Sequence, residues 1–254
     1  MFTYSELTSR NWGLITPEDQ FKIRKSTVLF AGCGLGSNIA ILAARTGFTS
    51  FILADGDNVE ISNLNRQTFS SEQISKNKAK ATAEIISAIN PEAKIKTLPH
   101  FITGEEAREL VNEADFVINT VDPGPALFSL NSAAREKNKT VFFPMNIGYS
   151  GLTFVFTSES ATLEEIVGEG VPESQVLFKL IERTTGNIPH IAQYIQKFAD
   201  RIGEILDGTL PAPQLGISAN INSSIVVTGM LKSITGAPLA LAPKPLYLDA
   251  WLAE

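Results

Sequence analysis

The amino-acid sequence predicts an α/β protein: a Rossmann-like, doubly wound, mostly parallel sheet with helices on both faces and a mixed C-terminal extension. Two observations carry this prediction. Apolar and β-branched runs alternate with helix-length segments over most of the first 157 residues, and parallel strands need such crossovers to cover both faces of their sheet. The first run, TVLF at 27–30, passes straight into the glycine cluster Ala31-Gly-Cys-Gly-Leu-Gly-Ser37, which reads as strand, tight turn, helix. No internal repeat, low-complexity tract or long linker interrupts the 254 residues. One domain over 1–254 is therefore expected, with a core at about 10–157 and a helical and strand part at about 158–254.

The elements follow in order. A helix over 38–45 is closed by Gly47, and an aromatic, β-branched strand over 48–54 ends at Asp55. A long polar loop, DGDNVEISNLNRQ at 55–67, precedes a helix over 76–89 that Asn90-Pro91 stops. A short strand over 93–98 comes next. Thr103 and Glu106 have capping-box spacing for a helix to about Asn112. A buried strand over 115–121 then ends in Asp122-Pro-Gly-Pro. A helix near 127–137 leads to the strands TVFFPM and LTFVFT, the latter at 152–157. Beyond them lie a helical region over 173–206 broken near Gly186 and Pro189, the loop GTLPAPQLG, a helix over about 217–234 and a closing strand LYLDAW.

Composition narrows the function. The chain carries 21 Lys+Arg against 27 Asp+Glu, a net charge of −6, and is 44% apolar and 19% charged. That is the profile of a soluble globular protein. An acidic chain of this kind lacks the cationic field that stable nucleic-acid or anionic-membrane binding needs. No stretch approaches the roughly 18 apolar residues of a membrane span, and the start MFTYSELTSRNWG lacks a signal-peptide pattern, so a cytoplasmic location is expected. A single cysteine, Cys33, excludes an internal disulfide, a four-cysteine zinc site and a CxxC pair. His100 and His190 have no further ligand at metal spacing, so neither receives a function.

Gly32, Gly34 and Gly36 let the backbone approach a phosphate, and the N–H groups that open the next helix attract negative charge. Asp55 lies 19 residues after Gly36, at a strand end, where a carboxylate can accept hydrogen bonds from both ribose hydroxyls. The loop and Asp55 alone fit a dinucleotide as well as a mononucleotide. Arg66 and Lys78 are cations close to this phosphate site, and Asp122 is a hard oxygen ligand suited to Mg²⁺.

The set Asp55-x-Asp57, Asn63-Leu-Asn-Arg66-Gln67, Lys78 and Asp122 resembles the ubiquitin-activating superfamily, and more closely the bacterial ThiF, MoeB and HesA adenylyltransferases. The likeness runs from about residue 10 to 157. One departure is in the glycine loop, where Ala31 and Cys33 stand at positions that are glycine in these relatives. The resemblance implies attack of a carboxylate on the α-phosphate of ATP, giving an acyl-adenylate and pyrophosphate. It assigns Asp55 to the ribose, Asn63, Arg66, Gln67 and Lys78 to the phosphates, and Asp122 to Mg²⁺. Arg10, ahead of Gly13 and Gln20, resembles an amino-terminal arginine that serves the neighbouring subunit's phosphates, which implies a homodimer. The acyl donor it implies is the C-terminus of a ubiquitin-like or sulfur-carrier protein, or a peptide.

Relatives that proceed to a thioester use a second cysteine, and many hold zinc on two CxxC pairs. This chain has neither, so no zinc is expected, and the acceptor must come from elsewhere. Cys33, inside the glycine loop, reads as a packing residue. Two rivals remain. A non-catalytic partner could keep the fold for dimerisation or carrier binding. An NAD-dependent dehydrogenase would share the glycine loop and Asp55, but has no use for Asn-Leu-Asn-Arg-Gln followed by a lysine.

Overall fold

The computed structural model describes residues 2–186 and 188–252. Among these, seven strands form one sheet: β1 (Thr27–Ala31), β2 (Ser50–Ala54), β3 (Lys94–Leu98), β4 (Phe116–Asn119), β5 (Thr140–Ile147), β6 (Ser150–Phe156) and β7 (Leu246–Asp249). Their spatial order is β3-β2-β1-β4-β5-β6-β7. The first five are mutually parallel, whereas β6 runs antiparallel to both β5 and β7. The strand order therefore reverses between β1 and β4, and it is outside the carboxyl ends of strands at such a switch point that open α/β sheets bind ligands.

The helices are α1 (Tyr4–Leu7), α2 (Pro17–Lys25), α3 (Leu35–Thr46), α4 (Lys78–Ile89), α5 (Gly104–Glu113), α6 (Pro125–Glu136), α7 (Leu163–Val167), α8 (Val176–Thr184), α9 (Pro189–Gln196), α10 (Ile202–Leu206) and α11 (Gly216–Thr235). They cover both faces. In β1, Val28 and Phe30 face a core shared with Ile23 of α2, Ile39 of α3, Ile86 of α4 and Val226 of α11. Leu29 and Ala31 face the opposite core, with Leu110 of α5, Leu130 of α6 and Leu180 of α8. This two-sided burial follows from the period-2 pleat acting on an apolar strand. The capping box predicted from Thr103 and Glu106 forms at the start of α5. Among the described residues no helix is long and apolar enough to cross a membrane.

Several boundaries differ from the expectations, among them the helix expected over 38–45, which begins at Leu35, and the closing strand, which stops at Asp249; three others bear on the site. The second strand begins at Ser50, not Phe48, because Gly47 is left-handed (φ +112°) and the Gly47 and Phe48 N–H groups both close onto Ala43 at the end of α3. The fourth strand ends at Asn119, two residues early: its pairing with β5 stops at Ile118, and its pairing with β1 stops where β1 ends, at Ala31 opposite Asn119. Asp122 consequently lies in the following loop. The fourth helix starts at Lys78, with Asn77 as its cap.

Candidate functional site

The glycine loop closes on the switch point. Gly32 has φ +91°, and a Cβ there would stand 2.6 Å from Thr120 Oγ1 and 2.7 Å from the Thr120 carbonyl oxygen. Both facts exclude a side chain at this position. Thr120, just past β4, donates its hydroxyl to the carbonyls of Ala31 and Gly32, which fixes the loop against β4. Gly34 begins α3 with no side-chain cap, so the first N–H groups of the helix have no side-chain acceptor. Gly32→Ala is expected to destabilise the fold by roughly 3 kcal/mol, from a left-handed alanine and a clash with backbone; urea unfolding measures it.

Asp55, 8% exposed, ties this loop to β2. Its Oδ2 accepts from the Cys33 N–H at 2.6 Å and its Oδ1 from the Asp57 N–H at 2.8 Å. Burial pushes its pKa up, and the two N–H donors and Lys78 oppose that shift. Each oxygen keeps a lone pair that a sugar hydroxyl could use. Lys78 Nζ pairs with Asp57 Oδ2 at 2.8 Å and keeps two N–H groups. Asn77 caps α4 and donates to the carbonyls of Asp55 and Asp57 at 2.8 and 3.1 Å, so the Asp-x-Asp turn and the lysine form one unit.

The Asn63-Leu-Asn-Arg-Gln segment meets the same edge. Buried Asn63 accepts the Glu60 N–H at its Oδ1 and the Arg66 and Gln67 N–H groups at its carbonyl, so it shapes the turn. The Gln67 side chain lies over Gly34, and its buried Oε1 has no hydrogen-bond partner among the described residues. Asn38, in the first turn of α3, donates to the Arg66 carbonyl at 3.0 Å.

The Arg66 guanidinium is held on two sides. Nε donates to Gln214 Oε1 at 3.0 Å, and Nη1 to the Ser62 carbonyl and Asn65 Oδ1 at 3.0 and 2.8 Å. All three acceptors are neutral. Among the described residues the two N–H groups of Nη2 have no partner, and no carboxylate pairs with the charge. Partial burial lowers the Arg66 pKa from its usual value, but an arginine stays protonated at any ordinary pH. A groove of about 510 Å³ opens beside it, lined by Asn38, Arg45, Arg66, Asn220 and Ser224. Asp55 and Gly32 lie outside that groove.

Asp122 is exposed, with no hydrogen bond or ion pair among the described residues. No group of three His, Cys, Asp or Glu side chains suited to a metal occurs among them. Arg10 stands apart from the rest. It is exposed and, among the described residues, unpaired, in a segment that docks on the far end of α3 through Tyr4 Oη to the Gly47 carbonyl (2.9 Å) and Asn11 Nδ2 to the Thr46 carbonyl (3.0 Å). The 12 residues of α3 span roughly 18 Å, so this docking lies about that far from the glycine loop. Cys33 is fully buried; burial, helped by the charge of Asp55, pushes its thiol well above the usual cysteine value. Sequence reasoning missed Thr120, Asn77 and Gln214. An asparagine three residues before Lys80 is a readable cap signal, whereas nothing local marks Gln214.

A loop closed on the switch point, a buried carboxylate one strand away and an arginine without counter-charge make this a Rossmann-like α/β protein whose strand edge suits an anionic ligand. The chain belongs to the ThiF family, whose model matches residues 7–254. It is 31% identical over 145 residues to the sulfur carrier protein ThiS adenylyltransferase of Escherichia coli, covering 56% of this chain and 58% of that protein. It is 33% identical over 134 residues to ubiquitin-like modifier-activating enzyme 5 of Drosophila ananassae, covering 48% and 34%. The chain thus spans between about a third and three fifths of the length of these curated relatives. Two solved structures share the fold. PaaA gives a TM-score of 0.70 at 22% identity, covering 99% of this chain and 77% of its own. Escherichia coli MccB, with AMPCPP and selenomethionyl MccA, gives 0.69 at 17%, covering 93% and 64%.

Proposed function

We propose that the chain is a cytoplasmic, ATP-dependent adenylyltransferase. It activates a carboxylate, the C-terminus of a ubiquitin-like or sulfur-carrier protein or of a peptide, as an acyl-adenylate with release of pyrophosphate. The observation that carries this reading is Arg66: an oriented guanidinium with neutral partners and, among the described residues, a free Nη2 edge, on a segment whose next side chain, Gln67, lies over Gly34, in a ThiF-family chain. Relatives named as adenylyltransferases and an MccB structure with ATP support it.

Attack of a carboxylate on a triphosphate brings two anions together, so the site must supply positive charge and alignment. Asp55 accepts the ribose hydroxyls, and the opening N–H groups of α3 and the side chains of Arg66, Gln67 and Lys78 take the phosphates. The unpartnered Gln67 Oε1 and the Asp57-held lysine fit such a role. Asp122, without a partner among the described residues, suits Mg²⁺, which usually takes one or two carboxylates together with substrate phosphates. When bound, the ion neutralises charge on the departing pyrophosphate.

The same reading gives Arg10 to the opposite chain of a homodimer. Its segment is anchored at the end of α3 remote from its own glycine loop, and its side chain is unpaired among the described residues. The acyl acceptor comes from outside the chain, since Cys33 is buried with its thiolate disfavoured. Cys33→Ala is therefore expected to retain adenylation within about twofold while losing on the order of 1 kcal/mol of stability. A thioester present in the wild type and lost in this variant, read by mass spectrometry, would contradict that role. The reading as a whole is tested by ATP–pyrophosphate exchange with candidate carrier proteins and peptides. Exchange dependent on a free C-terminal carboxylate is expected; tight NAD binding without Mg-ATP binding would overturn it.

A further inference from the structure

Why Arg66 should be held by a residue far along the chain has an answer in charge. We infer that Gln214 is a positioning residue for Arg66, an inference that rests on the nucleotide reading above. Gln214 lies in the loop before α11, 148 positions from Arg66, and its Oε1 accepts from Arg66 Nε and from Asn146 Nδ2, both at 3.0 Å. Two donors on one atom fix the orientation of the amide. The backbone is clasped as well. Asn65 Nδ2 donates to the Gln214 carbonyl at 3.1 Å, and a Cβ on Gly216 would stand 2.9 Å from the Asn65 carbonyl oxygen. The anchor reaches into the core. Asn146 Oδ1 accepts from Asn222 Nδ2 at 2.9 Å, and Asn222 Oδ1 accepts from the Thr153 hydroxyl at 3.1 Å, with Asn222 and Thr153 fully buried.

The guanidinium is thereby aligned before any ligand arrives, which removes an ordering cost from binding. The choice of an amide is specific. A carboxylate at this position would accept the same two hydrogen bonds but would neutralise the charge meant for phosphate oxygens. Gln214 orients Arg66 without competing for it.

The test compares wild type, Gln214→Ala and Gln214→Glu in the full chain, measuring equilibrium affinity for Mg-ATP and for adenosine, with thermal unfolding alongside. Gln214→Ala is expected to weaken Mg-ATP about 10-fold and leave adenosine unchanged, the scale of one hydrogen bond to a charged group. Gln214→Glu, which keeps both hydrogen bonds and the unfolding temperature, is expected to weaken Mg-ATP at least as much. Variants that match wild type overturn the inference. A Gln214→Glu protein with full ATP affinity beside a weak Gln214→Ala overturns the claim that a neutral acceptor is required, and a parallel loss of adenosine binding overturns the positioning role, since it marks packing alone. A wild type that binds no Mg-ATP overturns the nucleotide reading itself, a distinguishable result.

Discussion

Arg66→Ala is expected to cut ATP–pyrophosphate exchange by roughly 10²–10³, the usual cost of removing one preorganised charge from a transition state. Its circular dichroism and unfolding midpoint should stay close to wild type. The reason lies in what the side chain touches: two neutral side-chain acceptors and one carbonyl, all able to turn to water once it is gone. Its charge gains most where negative charge grows, on the pyrophosphate as it leaves. Asp122→Ala is expected to show a loss of the same order, with an exposed carboxylate removed and no fold contact broken. A pyrophosphate-release assay reads both, and near wild-type turnover in either variant would refute the assignment.

The second large effect is complementation between two dead proteins. Arg10→Ala and Lys78→Ala should each be inactive as homodimers. When mixed one to one with free exchange of subunits, half of the dimers are mixed, and one of the two sites in each contains both native groups, so roughly a quarter of wild-type activity should return. If Arg10 acted in its own chain, every site in the mixture would still lack one group. No recovery despite confirmed exchange, or monomers alone by light scattering during turnover, would remove Arg10 from the neighbour's site.

The sequence made the local parts of this protein legible. The glycine loop, Asp55, Asp57 and the Asn63–Gln67 segment sit within 36 consecutive residues, where spacing alone reports geometry, and Thr103 with Glu106 announced α5. Asp122 was visible as a carboxylate near a strand end, but its place off the strand depends on where the neighbouring β1 stops. Phe48 read as a strand residue because it is aromatic and apolar, yet its N–H is taken by the end of α3. α2 has a readable signal, Thr16 capping a helix with Pro17 at its first position, although only Ile23 of its face is buried. Gln214 was invisible. One acceptor in an irregular loop acquires meaning only through a partner 148 positions away.

The sheet also dictates an order of assembly during synthesis. β5 and β6 are joined by a tight hairpin, whereas β4 must find β1 with Phe116 opposite Val28, and β7 must find β6 with Leu246 opposite Thr153, so both of these pairings wait for long stretches of chain. Closing so long a loop is entropically slow compared with closing a hairpin. Gln214 and Asn222 are translated inside the later of these spans. A chain emerging from the ribosome therefore completes its glycine loop well before its arginine acquires a fixed direction. Until Gln214 is in place the glycine loop stands without a fixed Arg66, and on the proposed reading competence for chemistry waits for the last third of the polypeptide.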